Sequence, residues 1–310
     1  MKVLFHYAAG PDLAARLAAV PGLDITICPV DDRALLQRSL PETDVLWHVL
    51  EPCTAAMIAA APRLKLIQKI GIGVNTIDLE AAKARGIPVC NLPGTNSRAV
   101  AELTLAMMLA TLRRLPRFDA SVRRGVWTDP LLEDGLGELG GRVVGLVGYG
   151  AIPRLLAPVL TAMGCRVLYT DQAAVAGALG EFRSLPALLQ EADVVTLHVP
   201  LTPETTHLID AASLARMKRG AVLINTARGG LVDQAALTEA LSSGHLAAAG
   251  LDVFETEPPD FAAPLFRLPN VVVSPHVAWL TTGTFDRSFV VAAENCRLLE
   301  AGKTLLHRVV

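Results

Sequence analysis

Aromatic side chains are scarce in this chain: Phe, Trp and Tyr together make up 5% of its 310 residues. A surface that stacks nucleic-acid bases needs more of them. Neither sign of charge prevails, with 28 Lys and Arg against 30 Asp and Glu and a net charge of −2. That balance leaves no electrostatic footprint for nucleic acid or an anionic membrane, so neither partner is expected. No apolar run reaches the roughly 18 residues that a membrane-spanning helix needs; the longest greasy stretch, Ala99 to Leu112, is broken by Glu102. The five cysteines (Cys28, Cys53, Cys90, Cys165 and Cys296) are odd in number and never in CxxC spacing. This argues against a disulfide framework and a zinc knuckle. They read as buried or half-buried thiols of a reducing cytosol, and no metal site is expected. The opening segment MKVLFHYAAG reads as a first strand rather than a signal peptide. A cytoplasmic location is the expectation.

What is present is a hydrophobic, weakly charged sequence, 52% and 19% respectively, which suits a folded chain of two middling domains. Short apolar runs alternate with helical patterns throughout. Val3–Tyr7, Ile25–Pro29, Val45–Val49, Leu66–Ile70 and Val89–Asn91 read as strands, separated by helical patterns at Leu13–Ala19, Arg33–Ser39, Ala55–Ala60 and Leu79–Arg85. A long helical pattern, Arg98 to Val122, leads to a second series with strands at 143–147, 166–170, 194–198, 221–225, 247–251 and 271–275. A last helical pattern covers Phe289 to Ala301. This βα alternation predicts two doubly wound α/β domains with parallel sheets, covered on both faces by helices.

The second series opens with Val143-Val144-Gly145-Leu146-Val147-Gly148-Tyr149-Gly150-Ala151-Ile152-Pro153: a strand, a glycine turn and a helix start. Gly148 and Gly150 let backbone approach a pyrophosphate at the helix N-terminus, where Ala151 and Ile152 begin the helix. Pro153 stands where a third glycine is usual, and proline is tolerated in a first helical turn. Asp171 follows Gly150 by 21 residues at the end of the next strand. An acid there holds the adenosine ribose hydroxyls and repels a 2′-phosphate, which favours NAD over NADP.

Two stretches carry a family resemblance. LKLIQKIGIGVNTIDLEAAKARGIPVCNLPGTNSRAVAEL (64–103) and VVTLHVPLTPETTHLIDAASLARMKRGAVLINTARGGLVDQAALTEALSSGHLAAAGLDVFETEP (194–258), with NVVVSPHVAW (270–279), closely resemble the D-isomer-specific 2-hydroxyacid dehydrogenases. The likeness runs over roughly residues 64–300. It implies a Rossmann-type NAD domain over 99–279 and a flavodoxin-like substrate domain, discontinuous, over 1–98 and 280–310, with the active site in the cleft. It matches Arg228 of NTARGG to a substrate-binding arginine, Glu257 of FETEP to its acidic partner and His276 of SPHVAW to an acid/base histidine. Ile72 and Gly73 match a loop whose N–H groups hold the substrate carboxylate, and Asp252 matches a residue near the nicotinamide. Further cofactor contacts are implied at His198 and Pro200 of HVPLTPET, at Thr226 and Ala227, and at Thr104. His48, in the WHVLEP turn, is expected to face the cleft and help choose the substrate. Trp279 stands either at the pocket wall or as a packing residue between domains. His6, His207, His245 and His307 are expected to be structural.

The chemistry agrees with these residue types. Reducing a 2-keto acid needs a cation for the carboxylate and ketone, which the Arg fork supplies. It needs a proton donor in the range where His titrates, and a carboxylate to orient and stabilise the charged imidazole. The run His276-Val277-Ala278-Trp279 resembles the glycerate dehydrogenase and hydroxypyruvate or glyoxylate reductase branches. No appended regulatory domain is expected after residue 310, which argues against the long form of phosphoglycerate dehydrogenase but not against its short form. The rival readings are a corepressor-like protein that senses NAD and a formate dehydrogenase, a branch with glutamine where Glu257 stands. The apolar stretch LTLAMMLATL within Arg98–Val122 exceeds what one buried helix face requires and predicts a homodimer.

Overall fold

The computed structural model describes residues 1–128 and 135–310; residues 129–134 of the expected NAD domain lie outside it. The chain divides into two units, Met1–Asn96 with Trp279–Val310, and Ser97–Ala278. The expected divisions, 98/99 and 279/280, sit one or two residues later. Ser97 already begins the helix that packs on the second unit's sheet, and Trp279 packs among the first unit's aromatics.

In the first unit the strands are β1 (Lys2–His6), β2 (Asp24–Cys28), β3 (Val45–His48), β4 (Leu66–Lys69) and β5 (Val89–Cys90). They pair in parallel in the order β2-β1-β3-β4-β5, the flavodoxin-like arrangement. Central strands are apolar on both faces because helices cover both. On one face Phe5 and Trp47 meet Phe289 of the helix Thr282–Glu300, the Trp47 and Phe289 rings stacked at 5.5 Å. That helix starts seven residues before the pattern at Phe289 suggested. Its first turns bury Thr284 and Ser288 beside Phe285, so small hydroxyl residues occupy what the sequence presents as a polar stretch. Thr281 caps it, accepting the Thr284 N–H at 3.1 Å.

In the second unit the strands are β6 (Val143–Val147), β7 (Arg166–Thr170), β8 (Glu181–Phe182), β9 (Val194–Leu197), β10 (Val222–Asn225), β11 (Ala248–Leu251) and β12 (Val271–Val273). All pair in parallel, in the order β12-β11-β10-β9-β6-β7-β8. This is the Rossmann winding with the change of direction between β6 and β9. The exposed two-residue β8 has no hydrophobic pattern to predict it.

The helix expected over Arg98–Val122 is two helices, Ser97–Leu112 and Leu115–Arg123. Arg114 takes a left-handed φ of 49°, and Pro116, in the first turn of the second helix, could not continue the first. The first of these helices buries residues around most of its girth, among them Ala101, Thr104, Met107, Met108 and Thr111. Its greasiness is therefore largely that of a core helix. Exposed apolar side chains lie further on, at Leu115, Val122 and Trp127.

All five cysteines are free and buried, and burial pushes the Cys90 and Cys296 thiols up to about 11. Among the described residues no helix is long and apolar enough to cross a membrane.

Candidate active site

At the end of β6, Gly148 turns with φ 94°. A side chain there would lie 2.8 Å from the His198 carbonyl oxygen, so only glycine fits. Gly150, the N-cap of the helix Ala151–Ala162, has open space where a Cβ would point. That opening at a helix N-terminus is what a pyrophosphate needs. Pro153 is the third helical residue, and the first intrahelical bond runs from Arg154 N–H to the Gly150 carbonyl at 3.2 Å. Proline therefore forfeits no hydrogen bond at 153.

Asp171, just past β7, is exposed. Its oxygens accept the N–H of Tyr149 at 2.8 Å and of Gln172 at 2.7 Å. The carboxylate is thus fixed beside the glycine turn with room to accept ribose hydroxyls. His198 binds Thr196 Oγ1 through Nε2 at 3.1 Å, while its buried Nδ1 has no partner among the described residues. Burial drives this imidazole down to about 3, so it is neutral. An open Gly150 at a helix N-terminus, a fixed acid and an orphaned ring nitrogen fit a dinucleotide. Ala151 and Pro200 are exposed and Ile152 and Ala227 half-buried, open to the same ligand.

Three expected cofactor residues, Thr104, Thr226 and Asp252, have hydrogen-bond partners within the protein. The Thr104 and Thr226 hydroxyls bond each other at 2.8 Å, and Thr104 also donates to the Val100 carbonyl at 2.7 Å. Asp252 is fully buried and accepts from Ser274 Oγ, from Val277 N–H at 2.9 Å and from Ala278 N–H at 2.8 Å. Asp252 shapes the turn that carries His276.

The ends of the three neighbouring strands β10, β11 and β12 bring the expected catalytic groups together. Past β10, buried Asn225 frames the turn, donating to the Arg228 carbonyl at 2.9 Å and accepting the Ala227 N–H at 3.0 Å. Arg228 donates to the Ala227 carbonyl at 2.6 Å. Burial lowers its pKa and the Glu257 charge raises it; a guanidinium stays charged throughout. A Cβ on Gly229 would fall 1.9 Å from the Phe254 carbonyl carbon, so the loop past β11 runs directly over this glycine.

That loop carries Glu257, whose Oε1 accepts the Phe254 N–H at 3.0 Å and whose Oε2 lies 2.6 Å from His276 Nδ1. Burial alone would raise the Glu257 carboxyl. The hydrogen bonds from His276 and Phe254 and the charges of His276 and Arg228 outweigh it and hold Glu257 below its ordinary value. His276 has a left-handed φ of 53° and donates its N–H to the Asp252 carbonyl at 2.7 Å. The arrangement is a charged carboxylate on an imidazole, near a guanidinium, at the end of the sheet where α/β proteins bind ligands. Asn225 and Ser274 were not singled out beforehand; their signal was a polar residue ending an apolar strand.

The first unit holds the remaining candidates. Ile72 is 39% exposed, and neither its N–H nor that of Gly73 has an acceptor among the described residues. His48, expected at the cleft, is 0% exposed, between His6 and Lys69 in register on β1 and β4. Its Nε2 meets the Glu51 carbonyl and its Nδ1 lies 3.4 Å from Lys69 Nζ. Burial, and then the Lys69 charge, push it down to about 3. Trp279 is 7% exposed and packs edge-on against Phe285 at 5.6 Å and Tyr7 at 6.0 Å, inside the first unit's core. Among the described residues no group of three His, Cys, Asp or Glu could hold a metal ion.

Residues 105–278 match the family model for the D-isomer specific 2-hydroxyacid dehydrogenase, NAD binding domain. The D-3-phosphoglycerate dehydrogenase of Mycobacterium tuberculosis is 42% identical over 306 residues, covering 97% of this chain and 54% of that protein. The chain thus spans about half the length of that relative. A hydroxypyruvate reductase of Thermotoga maritima is 42% identical over 246 residues, 78% of this chain and 80% of that one. Among solved structures, the TT0316 protein from Thermus thermophilus superposes with a TM-score of 0.90 at 40% identity, with all of both chains covered. With a family model over more than half of its length and relatives this similar, the chain belongs to the D-isomer specific 2-hydroxyacid dehydrogenase family.

Proposed function

We propose that this chain is an NAD-dependent oxidoreductase that interconverts a small 2-keto acid and the D-2-hydroxy acid, with glyoxylate or hydroxypyruvate as the substrate type. The observation that carries the reading is the 2.6 Å contact of Glu257 with His276 beside Arg228. The Gly148–Gly150 turn and Asp171 would hold NAD, whose nicotinamide would supply or accept the hydride. Arg228 binds the substrate carboxylate and polarises the ketone oxygen. His276 delivers its Nε2 proton to the ketone oxygen in reduction and removes it in oxidation. Glu257 orients the ring through Nδ1 and stabilises the imidazolium.

The similarity to a hydroxypyruvate reductase over most of both chains supports a small, uncharged side group on the keto acid. A protein that only sensed the dinucleotide would have no use for a carboxylate set on a histidine, so turnover separates the two readings. The test is NADH oxidation with glyoxylate, hydroxypyruvate, pyruvate, phenylpyruvate and phosphohydroxypyruvate in parallel. Turnover is expected to be fastest with one of the first two, and none with any 2-keto acid overturns the proposal. His276→Asn is expected to lose activity by roughly 10²–10⁴-fold while NADH binding, followed by fluorescence, persists. The protein is further proposed to act in the cytoplasm as a homodimer, which the exposed Leu115, Val122 and Trp127 support. Sedimentation showing only the 32.8 kDa monomer would contradict the dimer.

A further inference from the structure

His207 touches two of the loops that carry the chemistry while sitting on a third. The loops past β9, β10 and β11 are neighbours because those strands are neighbours. The first contains His207, the second Arg228 and the third Glu257. His207 has a left-handed φ of 50°, a conformation that residues other than glycine adopt uncommonly and that is worth an explanation. With it, the His207 N–H donates to the Gly230 carbonyl at 2.8 Å, two residues after Arg228. Ile209 continues the seam, donating to the Leu231 carbonyl at 3.0 Å and accepting from Asp233 N–H at 3.1 Å.

The His207 side chain reaches the other loop. Its Nε2 lies 2.8 Å from Glu255 Oε1, two residues before Glu257. The same Glu255 oxygen accepts the N–H of Gln234, the first residue of the helix Gln234–Ser242, at 3.2 Å. The stretch from Phe254 to Glu257 is thus tied down at both ends of its short course. Glu255 holds it to His207 and Gln234, and Glu257 holds it to Phe254 N–H and His276. Between these ties it crosses Gly229 so closely that no side chain could stand there.

We infer that His207 and Glu255 are a positioning pair that sets the loop of Glu257, and through it the carboxylate that orients His276. The pair's own contacts run to Gly230 and Gln234. The pair acts by removing the freedom of a loop whose displacement would lengthen the 2.6 Å contact. The inference rests on the reading of Glu257 and His276 as the acid/base pair.

The test compares Glu255→Ala, Glu255→Gln, His207→Ala, Glu257→Gln and the double variant Glu255→Ala/Glu257→Gln, assayed with NADH and the best keto acid. Glu255→Ala and His207→Ala are expected to lower kcat by about threefold to fivefold, the size a half-exposed pair can impose. The alkaline limb of their reduction profile moves to lower pH. The KM for the keto acid and NADH binding stay within about twofold. Glu255→Gln, which keeps an acceptor for His207, restores most of kcat, which a loss of folding would not do. In the Glu257→Gln background, Glu255→Ala adds little further loss, because the charge it positions is gone.

Wild-type kcat and pH profile in Glu255→Ala, with Glu257→Gln impaired, overturns the positioning role alone. So does a full further loss in the double variant. Wild-type behaviour in Glu257→Gln itself overturns the acid/base reading, and the inference falls with it.

Discussion

Glu257 holds His276 with one carboxylate oxygen and its own loop with the other: Oε2 stands 2.6 Å from His276 Nδ1 and Oε1 accepts the Phe254 N–H at 3.0 Å. Since Glu257 is held below its ordinary value, it is ionised at neutral pH. Its charge lies against Nδ1 of the ring that delivers the proton in reduction. Glu257→Gln keeps the shape without the charge, and the alkaline limb of the reduction profile is expected to move to lower pH. Oxidation needs the neutral ring, and its acidic limb moves the same way. Profiles of kcat/KM in both directions check this; unmoved limbs would assign the histidine a different partner.

Asp171 should govern the choice between dinucleotides. Wild type is expected to prefer NADH over NADPH by at least about tenfold in kcat/KM, equivalent to about 1.4 kcal/mol. Asp171→Ala removes both the ribose acceptor and the repulsion of a 2′-phosphate, and the preference should narrow. Equal use of both by wild type would remove Asp171 from the site.

Two glycines that look alike in sequence should respond differently to alanine. At Gly229 a Cβ meets the Phe254 carbonyl carbon at 1.9 Å, so one of two loops must move. We expect a loss of about 1–3 kcal/mol in denaturant melts, together with a fall in kcat of at least about tenfold, since misplaced catalytic groups are costly. At Gly150 a Cβ meets no protein atom. Gly150→Ala should change stability by no more than about 0.5 kcal/mol and weaken NADH binding, measured by fluorescence titration. Wild-type NADH affinity in Gly150→Ala would move the pyrophosphate elsewhere.

Asp44 ties the first unit's sheet to its surroundings. It accepts the Lys2 N–H at 3.0 Å and Arg63 Nη2 at 3.1 Å, with Lys65 Nζ at 3.7 Å. Burial would raise its carboxyl, but these partners hold it below the ordinary value. A group depressed in the folded state stabilises above its unfolded value, about 3.9, and loses that contribution as pH falls through the folded one. Asp44→Asn is therefore expected to cost about 1.5–3 kcal/mol at pH 7. The gap from wild type should shrink as the pH falls below the unfolded value and through the lower folded one. Urea melts at both pH values decide it, and a gap independent of pH would rule out a role for the charge.

Much of the fold was legible because the signals are local. Strands β6 and β7 stand where their apolar runs were, and the helix Arg33–Ser39 spans the residues its pattern marked. The helix Ser97–Leu112 was legible as a helix but not in extent, since its stop depends on Arg114 and Pro116 rather than on a change of period. The helix Thr282–Glu300 was half hidden because a threonine and a serine are buried beside aromatics.

By itself, the sequence determined the two parallel α/β units and the glycine turn with its acid, and its resemblance to the family pointed to Arg228, Glu257 and His276. The units and the turn follow from hydrophobic period, turn geometry and spacings of a few residues, which the chain carries wherever it folds. Only the tertiary structure decided which side chains meet. Strand order places the ends of β10, β11 and β12 side by side, so Glu257 reaches His276 across nineteen positions, and His207 reaches Glu255 across a longer span. It also decided that His48 is sealed in the core and that Asp252 serves the turn of His276. Burial and hydrogen-bond partners come from neighbouring strands, and no local pattern specifies which residues those neighbours will present.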